Sequence, residues 1–400
     1  TALIEFSKEY FVVPEYHILT QKERQNYIAY ILLSGWDTYT YALFSDELNV
    51  SKNVIVDDIN DLSSEMETFG IEIHKMAGYG IYAKGEEFDV RKALRHFCRI
   101  PISDKQVIND VDYRLCHDAA EIIANNFRSV NLRMAAGAVH HVESDTNIVF
   151  TDYTFQMLVE YISIGLFRYD VGKELLGERF ASEDIPDEYR RMAQKAAEYF
   201  EASNGLKLPV PEINYIAILF MCAEAQNCVI TQNSDTESIS DDIIVYLSNL
   251  LAANLIDNDL LGDSMRSFMP GSLFRTKYGI EISNPFLYDV KEMYSGIFAT
   301  TFTLSKFYEK YCHASPTEHE MSFLALYFGG AMHRNQKNVK AILIGTSGVA
   351  AASIVAGKIE DKIEEVKIVS ILSSEKIAEI DEYEFDIVLS MLPGFEYEDK

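Results

Sequence analysis

The sequence predicts a multi-domain protein: a winged helix-turn-helix, two tandem all-α helical-bundle domains, then a small α/β domain with a parallel sheet. Three observations carry this prediction. A compact helix–turn–helix–hairpin pattern lies near the start, helical segments repeat at a separation of roughly 108 residues, and the last block changes from helical to strand–helix periodicity. With 400 residues, 48% of them hydrophobic, the chain has ample material for several buried cores.

The first unit is expected within residues 1–90. Leu19-Thr20-Gln21-Lys22-Glu23 reads as a capping box, Thr20 as N-cap and Glu23 three residues on, opening a helix through Tyr27, Ile28, Ile31 and Leu32. After Ser34-Gly35 a second helix through Tyr41, Phe44 and Leu48 runs into the turn Asn49-Val50-Ser51, and a third follows through Val54, Ile55, Ile59 and Leu62. The Ser51 hydroxyl is placed to cap that third helix. Two short alternating strands, 71–74 and 81–83, flank a turn whose Gly78 and Gly80 permit positive φ. A hairpin after such a helix pair reads as a wing.

From Phe88 to Gln336 the chain reads as nearly continuous helix. Pro211-Glu212-Ile213-Asn214-Tyr215-Ile216-Ala217-Ile218-Leu219-Phe220 lines up with His319-Glu320-Met321-Ser322-Phe323-Leu324-Ala325-Leu326-Tyr327-Phe328, and upstream Tyr199-Phe200-Glu201 with Phe307-Tyr308-Glu309. Ile213, Ile216, Ala217 and Phe220 fall on one helical face, and Met321, Leu324, Ala325 and Phe328 repeat it. The simplest account is two helical domains, 91–232 and 241–336, joined by a polar linker at 232–238. From Asn338 the order is strand Val339–Ile344, turn Gly345-Thr346-Ser347-Gly348, helix 349–359, strand 366–372, short helix 375–380 and strand 385–391. Such a βαβαβ run over 338–400 implies a parallel sheet with right-handed crossovers.

Composition excludes several function classes. No stretch approaches the ~20 apolar residues of a membrane span, and Thr1 opens no basic leader region; a cytoplasmic protein without membrane insertion is expected. Cys98, Cys116, Cys222, Cys228 and Cys312 are odd in number and widely spaced, so buried free thiols are expected rather than disulfides or a zinc site. The net charge of −27 repels phosphate backbones and confines any nucleic-acid contact to a small patch. Adjacent His140 and His141 on a helix point about 100° apart and cannot easily share one metal or phosphate. His313, His319 and His333 lack ligand spacing, and Gly345–Gly348 lacks the lysine and spacing of a P-loop. No metal or cofactor is expected.

Ser51-Lys52-Asn53 with Asp57-Asp58-Ile59, then Gly78-Tyr79-Gly80-Ile81, resemble the winged helix, of the Mga-like kind, in bacterial regulators that carry PTS regulation domains (PRDs). Arg275 ahead of Gly279-Ile280-x-Ile282-x-Asn284-Pro285-Phe286-Leu287, with the two repeated Glu-x-x-Tyr/Phe helices, extends the resemblance over essentially the whole chain: winged helix, two PRDs and a domain similar to phosphotransferase IIB proteins. The resemblance implies a DNA-binding transcription regulator, of activator or antiterminator type, for a carbohydrate-uptake operon. It implies no enzyme activity, a homodimer, and as partners operator or promoter DNA and PTS proteins or another regulatory protein. DNA contact then falls to Ser51, Lys52, Asn53, Lys75 and Tyr79. Carried over residue by residue, the family's acceptor histidines fall on Leu219 and Tyr327, and near Met134 and near Phe268; the phosphocysteine of the IIB fold falls on Gly345. The expectation is a retained scaffold without its phosphoacceptors. Asp57, Asp58 and Asp61 on the presumed recognition helix are poor chemistry for a phosphate backbone, which motivates an alternative: a protein–protein interaction regulator that no longer binds DNA.

Overall fold

The computed structural model describes residues 19–35, 39–76, 80–98, 112–175, 185–226, 234–335 apart from 254 and 257, 339–345, 349–363, 366–373 and 385–391. The described chain is mostly helical, with one antiparallel hairpin and one three-stranded parallel sheet. Among the described residues no helix is long and apolar enough to cross a membrane.

Helix α1 (Gln21–Leu33) opens on the expected capping box: Thr20 Oγ1 accepts the Glu23 N–H at 3.3 Å, and Glu23 Oε2 accepts the Thr20 N–H at 2.7 Å. Helix α2 (Tyr41–Glu47) turns through Asn49, whose φ is positive, into α3 (Lys52–Glu67), where Ser51 Oγ accepts from the Val54 amide at 3.4 Å. Ile28, Ile31, Phe44, Ile55, Ile59 and Leu62 form the core beneath them. The hairpin is β1 (Glu72–Met76) with β2 (Gly80–Lys84), pairing Glu72 with Lys84 and Met76 with Gly80. β1 starts one residue later and ends two later than the alternation suggested. Ile71 is fully buried ahead of it and so belongs to the core under the helices rather than to the strand.

Helix α4 (Glu87–Phe97) leaves the hairpin and packs on both α1 and α7, joining the first unit to the helical body. The body runs α5 (His117–Phe127), α6 (Ser129–Thr146), α7 (Asp152–Asp170), α8 (Asp187–Asn204) and α9 (Val210–Met221), then α10 (Ser234–Leu250), α11 (Asp259–Tyr278), α12 (Leu287–Met293), α13 (Ser295–Thr301), α14 (Ser305–Cys312) and α15 (Glu318–Asn335). The offset of roughly 108 residues carries α6 onto α10, α7 onto α11, and α9 onto the start of α15. It carries the continuous α8 onto a broken run, α13, a 3-10 turn at Phe302–Leu304, and α14.

Three expectations are corrected here. The polar segment at 232–238 is helical from Ser234; polarity alone does not stop a helix, and acidic residues suit a first turn. α9 does not bury a single face: Glu212 and every residue from Asn214 to Met221 are buried, because α7, α8 and α11 all pack on it. The thiols of Cys98 and Cys222 are buried, but Cys116 is exposed at the N-cap of α5 and Cys312 is half-exposed. Cys228 lies outside the described residues.

The last unit orders its strands β4 (Val366–Ser373), β3 (Val339–Gly345), β5 (Ile387–Ser390), all parallel, with α16 (Val349–Lys362) between β3 and β4. Central β3 is buried on both faces: Ile342 and Ile344 meet Leu372 on one, and Leu343 meets Ala352 and Ala356 on the other. Residues 346–348 and the short helix expected at 375–380 lie outside the described residues.

Candidate functional site

The exposed face of α3 is the first candidate surface. Asp58 is turned inward, its carboxylate gripped by Arg24 of α1, Nε to Oδ2 at 2.8 Å and Nη2 to Oδ1 at 3.2 Å. Asp61 accepts from Gln21 Nε2 at 2.9 Å, and Glu65 from Lys22 Nζ at 2.7 Å. The acidic residues of this helix are thus largely spent on holding it to α1. Facing solvent are Lys52, Asn53, Asp57, Asn60, Asp61, Ser64 and Glu67, a mixed face in which Asp61 is tied to Gln21 and Asp57 and Glu67 remain as exposed carboxylates.

Lys75 of β1 donates to Asn60 Oδ1 at 3.2 Å, so the hairpin and α3 meet on that same side. Ser51, Lys52 and Asn53 sit together at the start of the helix, with the Ser51 hydroxyl engaged in capping. Tyr79 lies outside the described residues. Sequence reasoning missed Asn60, although its spacing from Asn53 and Asp57 (i, i+4, i+7) puts all three on one helical stripe.

Behind this surface, Arg95 and His96 at the end of α4 tie three parts together. Arg95 is buried; it donates to Glu160 of α7 at 3.0 Å and to Glu281 and Ser283, in the loop after α11, at 3.4 and 2.9 Å. The His96 ring lies 3.1 Å from Glu65 and 3.4 Å from Glu281. Burial raises the Glu65 carboxyl, but the contacts from Lys22 and His96 outweigh it and hold the group below its usual range.

Glu212 and Glu320, equivalent in the two repeats, each bind a buried arginine. Arg91 of α4 reaches Glu212 through two bonds of 2.7 Å. Arg275 reaches Glu320 at 2.5 and 2.9 Å, while Ser272 and Tyr308 close the cage. Asn284 donates to Ser322 Oγ at 2.8 Å, and Ile280 and Ile282 are buried. The loop motif that marked the sequence is therefore a core element.

Leu219 is fully buried in α9. Tyr327 of α15 donates its hydroxyl to Glu224 Oε1 at 3.2 Å, and its ring lies 5.3 Å from that of Phe268. Met134 stands on α6 and Phe268 on α11, helices that do not correspond under the repeat; the same offset brings Phe268 onto Glu160 of α7. Gly345 ends β3 beside Ser373. Outside these positions, His140 is set between Asp112 at 2.5 Å and Glu143 at 3.2 Å, both ring nitrogens engaged. Among the described residues no His, Cys, Asp and Glu cluster could hold a metal ion.

The PRD domain family model matches residues 241–331, the stretch from α10 into α15. The chain thus carries a stretch similar to PRD domains. Its PRD match spans the second repeat, and the internal offset extends the same helical plan to the first. Over 389 residues it is 20% identical to the transcriptional regulator ManR of Bacillus subtilis, covering 93% of this chain and 57% of that protein. It is also 20% identical over 394 residues to the probable licABCH operon regulator of the same organism, covering 93% of this chain and 58% of that one. The chain thus spans little more than half the length of these relatives.

Proposed function

We propose that this PRD-domain chain works in a DNA-binding transcription regulator of a carbohydrate-uptake operon, of activator or antiterminator type, rather than in an enzyme. Residues 19–85 act as a winged helix-turn-helix, with α3 as recognition helix and the β1–β2 hairpin as wing. The observation that carries this reading is the outward face of α3: Asp58 is buried against Arg24 and Asp61 is bonded to Gln21, while Lys52, Asn53 and Asn60 are exposed beside Lys75, with Asp57 the one exposed carboxylate between them. Asparagine amides suit base edges and lysines suit phosphates. The two relatives, described as regulators, support the same role.

Control in this reading does not run through phosphohistidine. Leu219, Tyr327, Met134 and Phe268 offer no imidazole, and Glu160, the repeat partner of Phe268, supplies a fixed carboxylate already held by Arg95. The domain at 338–400 is a IIB-like unit with Gly345 in place of a nucleophilic cysteine, so it does not carry phosphate. PTS proteins or another regulatory protein act on it by contact. The regulator is a homodimer, which the exposed Phe286, Tyr288 and Met293 of the second repeat favour.

The deciding experiment is fluorescence anisotropy of the chain with duplex DNA from upstream of its own gene across a salt series. The expected result is binding that weakens steeply with salt; no binding at low salt returns the reading to a protein-interaction regulator. Incubation with the general phosphotransferase proteins and labelled phosphoenolpyruvate tests the second half. Stoichiometric label in either helical repeat refutes it.

A further inference from the structure

The strap Cys222–Gln226, which ends the first repeat, is bound by both repeats. Toward the first, the Glu224 carbonyl accepts from the Thr151 amide and the Thr154 hydroxyl, each at 2.9 Å, and the Gln226 amide donates to Val149. Toward the second, the Cys222 carbonyl accepts from Arg275 at 2.7 Å and the Ala225 carbonyl from Ser267 at 2.9 Å. Gly271 of α11 lies so close that an added Cβ would meet the Cys222 and Ala223 carbonyl oxygens at 3.1 Å. The repeats are seated on each other through this strap.

Into that seat points one carboxyl. Glu224 is 5% exposed; its Oε1 accepts from Tyr327 of α15, and its Oε2 is buried without a protein partner among the described residues. The groups that act on it are Arg275 from α11 and Glu320 and Tyr327 from α15. Thr151 and Thr154, at the start of α7, are neutral and bond the Glu224 carbonyl rather than its carboxyl. Arg275 is already committed to Glu320 and to the Cys222 carbonyl, so among the described residues an ionised Glu224 has no cation of its own.

We propose that Glu224 is a proton-operated latch between the two repeats: it is neutral when they are seated, and its ionisation loosens the second repeat from the first. Burial raises its carboxyl, Arg275 and the Tyr327 hydroxyl pull it back, and Glu320 raises it again, leaving it at about 7. The sign follows from linkage. The seated form binds the proton more tightly than the open form, so seating is full below the ordinary carboxylate range and weakens as pH rises toward about 7. Between about pH 5 and about pH 8 the seating equilibrium changes on the order of a hundredfold.

The test is infrared titration of the carboxyl C=O band in the 400-residue chain, with Glu224→Gln as the subtraction reference. Hydrogen exchange of α15, corrected for intrinsic rate, reports on seating in parallel. The expected result is a protonated band titrating with a midpoint near 7, slower exchange on acidification in the wild type, and pH-independent exchange in Glu224→Gln. Because the Tyr327 hydroxyl lowers the carboxyl's proton affinity, Tyr327→Phe moves the midpoint upward; this variant carries the test if Glu224→Gln does not fold. A band already absent at about pH 5, a midpoint unmoved by Tyr327→Phe, or exchange in Glu224→Gln that follows the wild type overturns the proposal.

Discussion

Arg91 and Glu212 form a two-bond ion pair, both contacts 2.7 Å, between the helix that leaves the hairpin and the innermost helix of the first repeat. In the second repeat the equivalent glutamate, Glu320, finds its arginine within its own domain, as Arg275. Glu212 is therefore met by an arginine of α4, the helix that leads out of the hairpin, and the PRD-like body and the helix–hairpin unit are energetically joined. The Arg91 guanidinium, itself buried, also bonds Glu87 and the Lys173 carbonyl, which fixes its place. Burial lowers its proton affinity, yet Glu212 more than compensates, so the guanidinium stays charged.

Glu212→Ala leaves a fully buried guanidinium without its main partner, at a cost of about 3–5 kcal/mol. Chemical denaturation is expected to show this as a loss shared by α4 and the first repeat. A variant that unfolds the repeat while leaving α4 protected in hydrogen exchange contradicts the coupling.

Asp58→Ala is expected to weaken the protein rather than sharpen its DNA binding. Asp58 faces Arg24, not solvent, so removing it strands a mostly buried arginine and costs about 1.5–3 kcal/mol. Lys52→Ala and Asn53→Ala should do the reverse, leaving the melting temperature nearly unchanged and lowering affinity for DNA. Calorimetry and anisotropy on the same preparations separate the two effects.

Glu65 gives a pH dependence opposite in sign to that of Glu224. Its carboxyl is held below the usual range by Lys22 and His96 against the effect of burial. Its contribution is therefore full above the ordinary carboxylate range and is lost as pH falls through the lowered value. Comparing acid unfolding of the wild type with Glu65→Gln checks this: the variant should show the shallower decline.

Thr20→Ala removes the acceptor for the Glu23 amide and one half of the capping box, and should destabilise the first unit by about 1 kcal/mol. Thr20→Ser should restore most of the loss. Thermal unfolding followed by circular dichroism measures both.

Local signals were legible because they depend on neighbours in the chain. The Thr20–Glu23 cap, the Ser51 cap, the β3–α16–β4–β5 order and the repeat of Glu212 at Glu320 all follow from residue type at short spacing or from self-similarity. The second repeat, matched by the PRD family, could be placed from sequence for the same reason.

What the chain's order does not encode is which distant group each charge meets. Counting Asp57, Asp58 and Asp61 made α3 look hostile to DNA; only packing against α1 turned Asp58 toward Arg24 and Asp61 toward Gln21, and left Asn60 beside Lys75. The same holds for Glu160, whose role depends on Arg95 from another helix, and for Glu224, whose proton affinity is set by burial between two repeats. Sequence by itself determined the helices, their caps and their duplication, since those are short-range preferences; tertiary structure alone decided which carboxylates are paired, which are orphaned and which face is free, because desolvation and ion pairing act through space.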